Sequence, residues 1–169
     1  MDRRPLAGVI PERQPEECVA AMTIAGEARG EQDAGGRLES VAMLAVLWVG
    51  ENRRTDRGRR WPRTLREVFL QPWQFSCWNR NDPNLPKLAT LWHDDPVTWE
   101  RADTVCDLFD SSFTVDPTLG ATHYCAERLW GRDDSERPGG AAWHSLQEIQ
   151  AGRTLKMTTI GGHVFARAA

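Results

Sequence analysis

Apolar positions fall into two helical stretches near the start of the chain. From Pro15 to about Arg29, Cys18, Val19, Met22 and Ala25 recur at helical spacing. Pro15 suits a helix start, and Glu16 and Glu17 complement its positive end. Gly30 favours a stop, and Gln32-Asp33-Ala34-Gly35-Gly36 reads as a loop. From Arg37 to about Asn52 the chain is apolar nearly all round, which predicts the central buried helix. Arg53 to Arg60 is a polar, arginine-rich loop, and a short helix is expected from about Thr64 to Leu70. Trp73 to Pro86 reads as irregular, with turn chemistry at Asn81-Asp82-Pro83-Asn84. Asp95 and Pro96 then open a helix running to about Asp110.

The second half changes period. Ala121 to Ala126 predicts a short strand, and Gly131 to Gly140 a charged loop. Leu155 to Ile160, a Gly161-Gly162 turn and His163 to Arg167 predict a terminal hairpin. There is no internal repeat or linker. The pattern predicts a single domain over residues 1–169, mainly α with a small β-sheet or hairpin.

Composition narrows the function classes. The 169 residues are 40% hydrophobic and 27% charged, as in globular domains. The net charge of −3 gives no electrostatic reason to expect nucleic acid as a partner. No run of about 18 apolar residues exists, so stable membrane insertion is not expected. The N-terminal stretch lacks the apolar core of a signal peptide, which predicts synthesis in the cytoplasm without a leader. Cys18, Cys77, Cys106 and Cys125 form no C-x-x-C pair and are expected as free, mostly buried thiols. Of eight tryptophans, Trp48 and Trp99 are expected in the core. Trp73 and Trp78, beside Gln74, Ser76 and Asn79, have the makings of a sugar-binding groove, although core packing would use the same residues.

The candidate chemistry lies in Gly26-Glu27-Ala28-Arg29-Gly30-Glu31. A carboxyl at the end of the first helix faces the negative pole of its dipole, which disfavours the charged form. Glycosidic cleavage needs such a group as a proton donor. Gly26, Ala28 and Gly30 are small neighbours that would leave room for a bulky substrate. Two glutamates near a helix end are more often simply solvated, so the motif alone decides little.

Together with the helix ending Glu51-Asn52-Arg53, this motif resembles the opening of the SleB-type cell-wall hydrolases, the spore cortex-lytic family. Gln74-Phe75-Ser76, Gly120-Ala121-Thr122-His123-Tyr124, Trp143 and Ile160-Gly161-Gly162-His163-Val164-Phe165 follow in the family's order, over about residues 18 to 167. The resemblance implies a lysozyme- or lytic-transglycosylase-like catalytic domain. Its partner would be peptidoglycan glycan strands, cut between N-acetylmuramic acid and N-acetylglucosamine, with no cofactor and as a monomer.

The family's catalytic glutamate falls on Glu27. Glu31 is placed as a tuning or sugar-binding group, and Gln74, Phe75, Ser76, Thr122 and Tyr124 in the substrate groove. For a hydrolytic muramidase, Glu31 and Asp33 would be the candidate partner carboxylates. His163 is read as structural. After Tyr124 the family continues with an aromatic, asparagine and proline, whereas this chain has Cys125-Ala126-Glu127, which predicts a different groove wall. A compact catalytic domain without a leader fits a phage lysis enzyme, released when a holin opens the membrane, better than a spore enzyme.

Two other classes compete. A zinc-dependent amidase would draw ligands from His93, His123, His144, His163 and the cysteines, but no H-E-x-x-H spacing exists. A non-catalytic glycan-binding module would use the tryptophans and leave Glu27 unexplained.

Overall fold

A computed structural model describes residues 3–7, 10–29, 37–132 and 143–169. Three helices form the core: α1 (Glu16–Ala28), α2 (Arg37–Arg54) and α6 (Pro96–Asp110). Between them come α3 (Leu65–Phe69) and two single-turn helices, α4 (Leu85–Leu88) and α5 (Leu91–Asp94). Strand β1 (His123–Ala126), helix α7 (Leu146–Gln150) and the hairpin of β2 (Thr154–Ile160) and β3 (His163–Ala168) complete the chain. The antiparallel sheet has the order β1-β3-β2, so the last strand lies in the middle.

The helix at the centre is α1, not α2 as the long apolar run of α2 predicts. Cys18 to Ala25 are buried without interruption, and α2, α3 and α6 all pack on this helix. Its alanines let neighbours approach from every side. In α2 the face of Ala42, Val46 and Val49 is buried, but Val41 is exposed. Trp48, expected in the core, is only half-buried and meets Phe109 edge-on at 5.2 Å. Trp99 is buried as expected, and all four cysteines are free and buried.

Polar clamps join these layers. Glu39 of α2, 1% exposed, accepts from Arg101 and Thr98 of α6. Arg3 donates to Asp103, Asp107 and Asp110, which line one face of α6 at helical spacing and tie the N-terminal segment down. Asp95 caps α6 by accepting from the Thr98 amide. No helix among the described residues is long and apolar enough to cross a membrane.

At Gly50 α2 passes so close to α3 that an added Cβ would lie 2.6 Å from Phe69 Cε1 and Cζ. Phe69 is fully buried and cannot swing away. Gly50→Ala is therefore expected to destabilise the fold by about 1–3 kcal/mol despite alanine's better helix propensity. The measurement is the midpoint of urea unfolding, which should fall at an unchanged slope.

Candidate active site

Glu27 stands on the last turn of α1, half-buried, and three donors from two other parts of the chain converge on it. The Cys77 amide donates to Oε1 at 2.7 Å, and the Ser76 hydroxyl reaches the same oxygen at 3.1 Å. The Tyr124 hydroxyl donates to Oε2 at 2.5 Å. Ser76 and Cys77 belong to a single 3-10 turn, Ser76–Trp78, within the stretch predicted as irregular.

That turn is anchored one helical turn back as well. Trp78 donates from Nε1 to Thr23 Oγ1 at 2.9 Å, and the Thr23 hydroxyl donates in turn to the Val19 carbonyl. Trp78 is thus partly buried against the core rather than standing free in a groove. Gly26 makes the approach possible, since an added Cβ would lie 2.8 Å from Cys77 Cβ and 2.9 Å from Leu88 Cδ2. The small residues around Glu27 therefore admit the chain's own turn. Ala28, expected to make room for substrate, is buried in the core.

Tyr124 comes from β1. Its ring stacks on Phe165 of β3 at 5.7 Å and meets His163 edge-on at 5.7 Å. Burial, together with the adjacent Glu27 carboxylate, pushes its phenol well above the ordinary range, so the hydroxyl keeps its proton. The same two causes push the Cys77 thiol up.

The remaining predicted site residues divide. Ser76 is exposed beside Glu27 and Gln74 is half-buried two residues before it. Phe75, expected in the groove, is 1% exposed and packs edge-on against Phe69 at 5.0 Å, so it lies beneath the site. The buried Thr122 likewise turns inward, its Oγ1 2.9 Å from His123 Nδ1. Glu31 and Asp33 lie outside the described residues. Trp73 is 79% exposed, with φ at +67°, a region that a bulky residue rarely adopts.

One residue at the site was not predicted. Arg53 closes the buried stripe of α2, in step with Ala42, Val46 and Val49, and is 3% exposed. Its guanidinium lies over the Trp61 ring at 4.4 Å and the Phe75 ring at 5.0 Å, and Nε donates to the Thr122 carbonyl at 2.6 Å. The helical period of the stripe points to it, but an arginine at a helix end reads first as solvated. Beyond Arg53, Trp61, His123 and Trp143 follow ring to ring at 5.8 and 5.0 Å. Burial, reinforced by Arg53 and Arg60, lowers His123 to about 4, which leaves it neutral at physiological pH. Among the described residues no three His, Cys, Asp or Glu side chains come together as a metal site would require.

The profile of the cell wall hydrolase family matches residues 39–166. The chain belongs to the cell wall hydrolase family. Two solved structures share its fold. The catalytic domain of the Bacillus cereus SleB protein is 22% identical, with a TM-score of 0.52 over 99% of this chain and 98% of that one. The catalytic domain of the germination-specific lytic transglycosylase SleB from Bacillus anthracis is also 22% identical, with a TM-score of 0.51 over 96% of this chain and 99% of that one. No curated protein matches significantly. The profile begins after Glu27, so the role of that residue rests on its geometry and on the motif around it.

In this cell wall hydrolase the close approach at Gly26 sets the distance from the Cys77 amide to Glu27. Gly26→Ala is expected to push the turn outward and lower turnover on purified cell walls by roughly tenfold or more, since about an ångström of misplacement costs on the order of a hundredfold. The check is turnover of protein shown by circular dichroism to keep its helices.

Proposed function

We propose that this enzyme cleaves the glycosidic bond between N-acetylmuramic acid and N-acetylglucosamine in peptidoglycan, as a lytic transglycosylase with Glu27 as its one acid and base. The observation that carries the reading is the asymmetric hold on the two Glu27 oxygens. A backbone N–H can only donate, so Oε1, facing the Cys77 amide, must remain an acceptor. With the Ser76 hydroxyl as a second donor to Oε1, a proton on Glu27 sits on Oε2. There the Tyr124 hydroxyl, which both donates and accepts, can turn its own hydrogen aside and receive it.

The chemistry then balances on one carboxyl. Glu27 gives the Oε2 proton to the glycosidic oxygen, the bond from that oxygen to C1 of the muramic acid breaks, and the N-acetylglucosamine side leaves as an alcohol. The substrate's acetamido oxygen shares the positive charge at C1, as in substrate-assisted glycosidases. The Glu27 carboxylate takes the proton of the muramyl 6-hydroxyl while that oxygen bonds to C1, closing the 1,6-anhydro ring. Glu27 ends protonated, as it began, and no water is consumed. Ser76, exposed beside Oε1, and Trp73, which opens an aromatic face to solvent three residues earlier, suit contact with the glycan. The fold shared with the Bacillus anthracis SleB domain, itself a lytic transglycosylase, supports the reading.

Mass spectrometry of fragments released from purified peptidoglycan tests it. Wild type should release anhydro-muropeptides and Glu27→Gln none. Water-added saccharides would instead make the enzyme a muramidase, and free stem peptides would overturn the glycosidic reading.

A graded pair of variants tests the hold on the carboxyl. Tyr124→Phe frees Oε2 and is expected to lower turnover by roughly ten- to a hundredfold. Ser76→Ala should cost only about a few-fold, because the Cys77 amide still holds Oε1.

A further inference from the structure

The Asn52-Arg53 pair on the last turn of α2 takes no part in the proton transfers above, yet it grips the strand that delivers Tyr124. Asn52 Nδ2 donates to the Ala121 carbonyl at 3.0 Å, and Arg53 Nε donates to the next carbonyl, that of Thr122, at 2.6 Å. From the other side the Thr122 amide donates to the Ala166 carbonyl of β3 at 3.0 Å. The peptide two residues ahead of Tyr124 is thus fixed from both flanks. The same guanidinium lies over the ring of Phe75, the residue directly ahead of Ser76 and Cys77. Arg53 therefore touches both of the chain segments that hold Glu27.

Its charge is unusual as well. Among the described residues no carboxylate lies within ion-pair distance of Arg53, and its buried Nη1 has no hydrogen-bond partner. Burial lowers the guanidinium to about 10, while Tyr124 and Glu27 draw it back up, so it remains a cation at neutral pH. Such a cation is costly to bury without a partner. The rings of Trp61 and Phe75 offset part of that cost.

We propose that Arg53 is a positioning residue for catalysis: it sets Tyr124 and the Ser76-Cys77 turn against Glu27, and its charge balances the carboxylate left when Glu27 gives up its proton. The inference rests on the reading of Glu27 as the acid and base. The titratable groups around Glu27 are the Cys77 thiol on the 3-10 turn, with Asp82 beyond it, and Tyr124 on β1, with His163 of β3 against its ring. Arg29 follows as the C-cap residue of α1. Of these elements α2 supplies the buried permanent cation, Arg53. Lysine would restore the charge but not the planar stack or the bond to Thr122.

Tyr124 is the only tyrosine in the chain, so it supplies a direct probe. In protein labelled with 13Cζ-tyrosine, the single resonance followed against pH should show a step as Glu27 titrates, and Glu27→Gln should abolish that step. With Arg53→Met the step should move to higher pH by about half a unit or more, since a nearby positive charge is lost. Arg53→Lys should leave the step near its wild-type position. Turnover of Arg53→Met should fall by about tenfold or more with KM within about twofold, and Arg53→Lys should recover part of it.

Thermal unfolding identifies the folded variants, and Arg53→Gln replaces Arg53→Met if that protein does not fold. A folded, charge-less variant with unchanged step and turnover would overturn the proposal, as would identical behaviour of the lysine and charge-less variants. If wild type released no glycan fragments, the functional reading would fail, while the Tyr124 step would still judge the effect of Arg53 on Glu27.

Discussion

The hydrogen bond from the Cys77 amide to Glu27 organises this molecule, because the chain must bring a loop backbone against the end of its most buried helix to make it. Two conditions allow that. The helix presents glycine at position 26, where any side chain would collide with Cys77 and Leu88. The turn is also held one helical turn away by Trp78 on Thr23, so its position does not depend on Glu27 alone. A carboxylate bound by a fixed amide keeps its orientation when substrate arrives. Preorganisation of this kind lowers a barrier without being rebuilt in each turnover.

Around that bond the polar groups follow a division of labour. A donor that cannot reverse, the Cys77 amide, sits on Oε1, and one that can, a phenol held protonated by burial and by Glu27 itself, sits on Oε2. His123, the histidine beside Thr122, is kept neutral by burial and by two arginines, and the cation that acts on the Tyr124 phenol is the Arg53 guanidinium. Arginine suits that place because its planar group lies over aromatic rings and donates from Nε while keeping its charge.

Much of this was legible in the sequence. The starts of α1 and α6, the extent of the apolar stretch of α2 and the glycine turn of the hairpin all carry strong local signals, and the structure has them. The ranking of the helices was misread, because the unbroken apolar run from Val41 to Val49 stands out in α2. Its charged ends nevertheless leave α2 less apolar overall than α1, whose alanines also let neighbours pack closely. Helices α4, α5 and α7 are about one turn each, too short to show a period, and depend on tertiary burial of residues such as Leu88 and Leu91. Gln74-Phe75-Ser76 reads as one motif, yet Phe75 points into the core and Ser76 to solvent, since the chain enters its 3-10 turn between them. Arg53 lay in the right period, but nothing local distinguishes a buried arginine from a solvated one.

The same geometry explains where this chain can depart from the family pattern after Tyr124. Cys125 pairs with Val164 and Ala126 with His163 in the β1–β3 ladder, and the Glu127 amide donates to the Gly162 carbonyl at 2.7 Å. The two ladder pairs are backbone contacts that any side chains can keep, but the Glu127 bond needs an amide hydrogen that a proline at that position lacks. Register here is fixed upstream, by Asn52 and Arg53 on the Ala121 and Thr122 carbonyls, and sideways by the stacking of Tyr124 on Phe165. The hold on Tyr124 thus comes from upstream and from the side, so its hydroxyl stays on Glu27 without help from the side chains of Cys125, Ala126 and Glu127. A strand held from its N-terminal side leaves the residues on its C-terminal side free to vary while Tyr124 stays against Glu27.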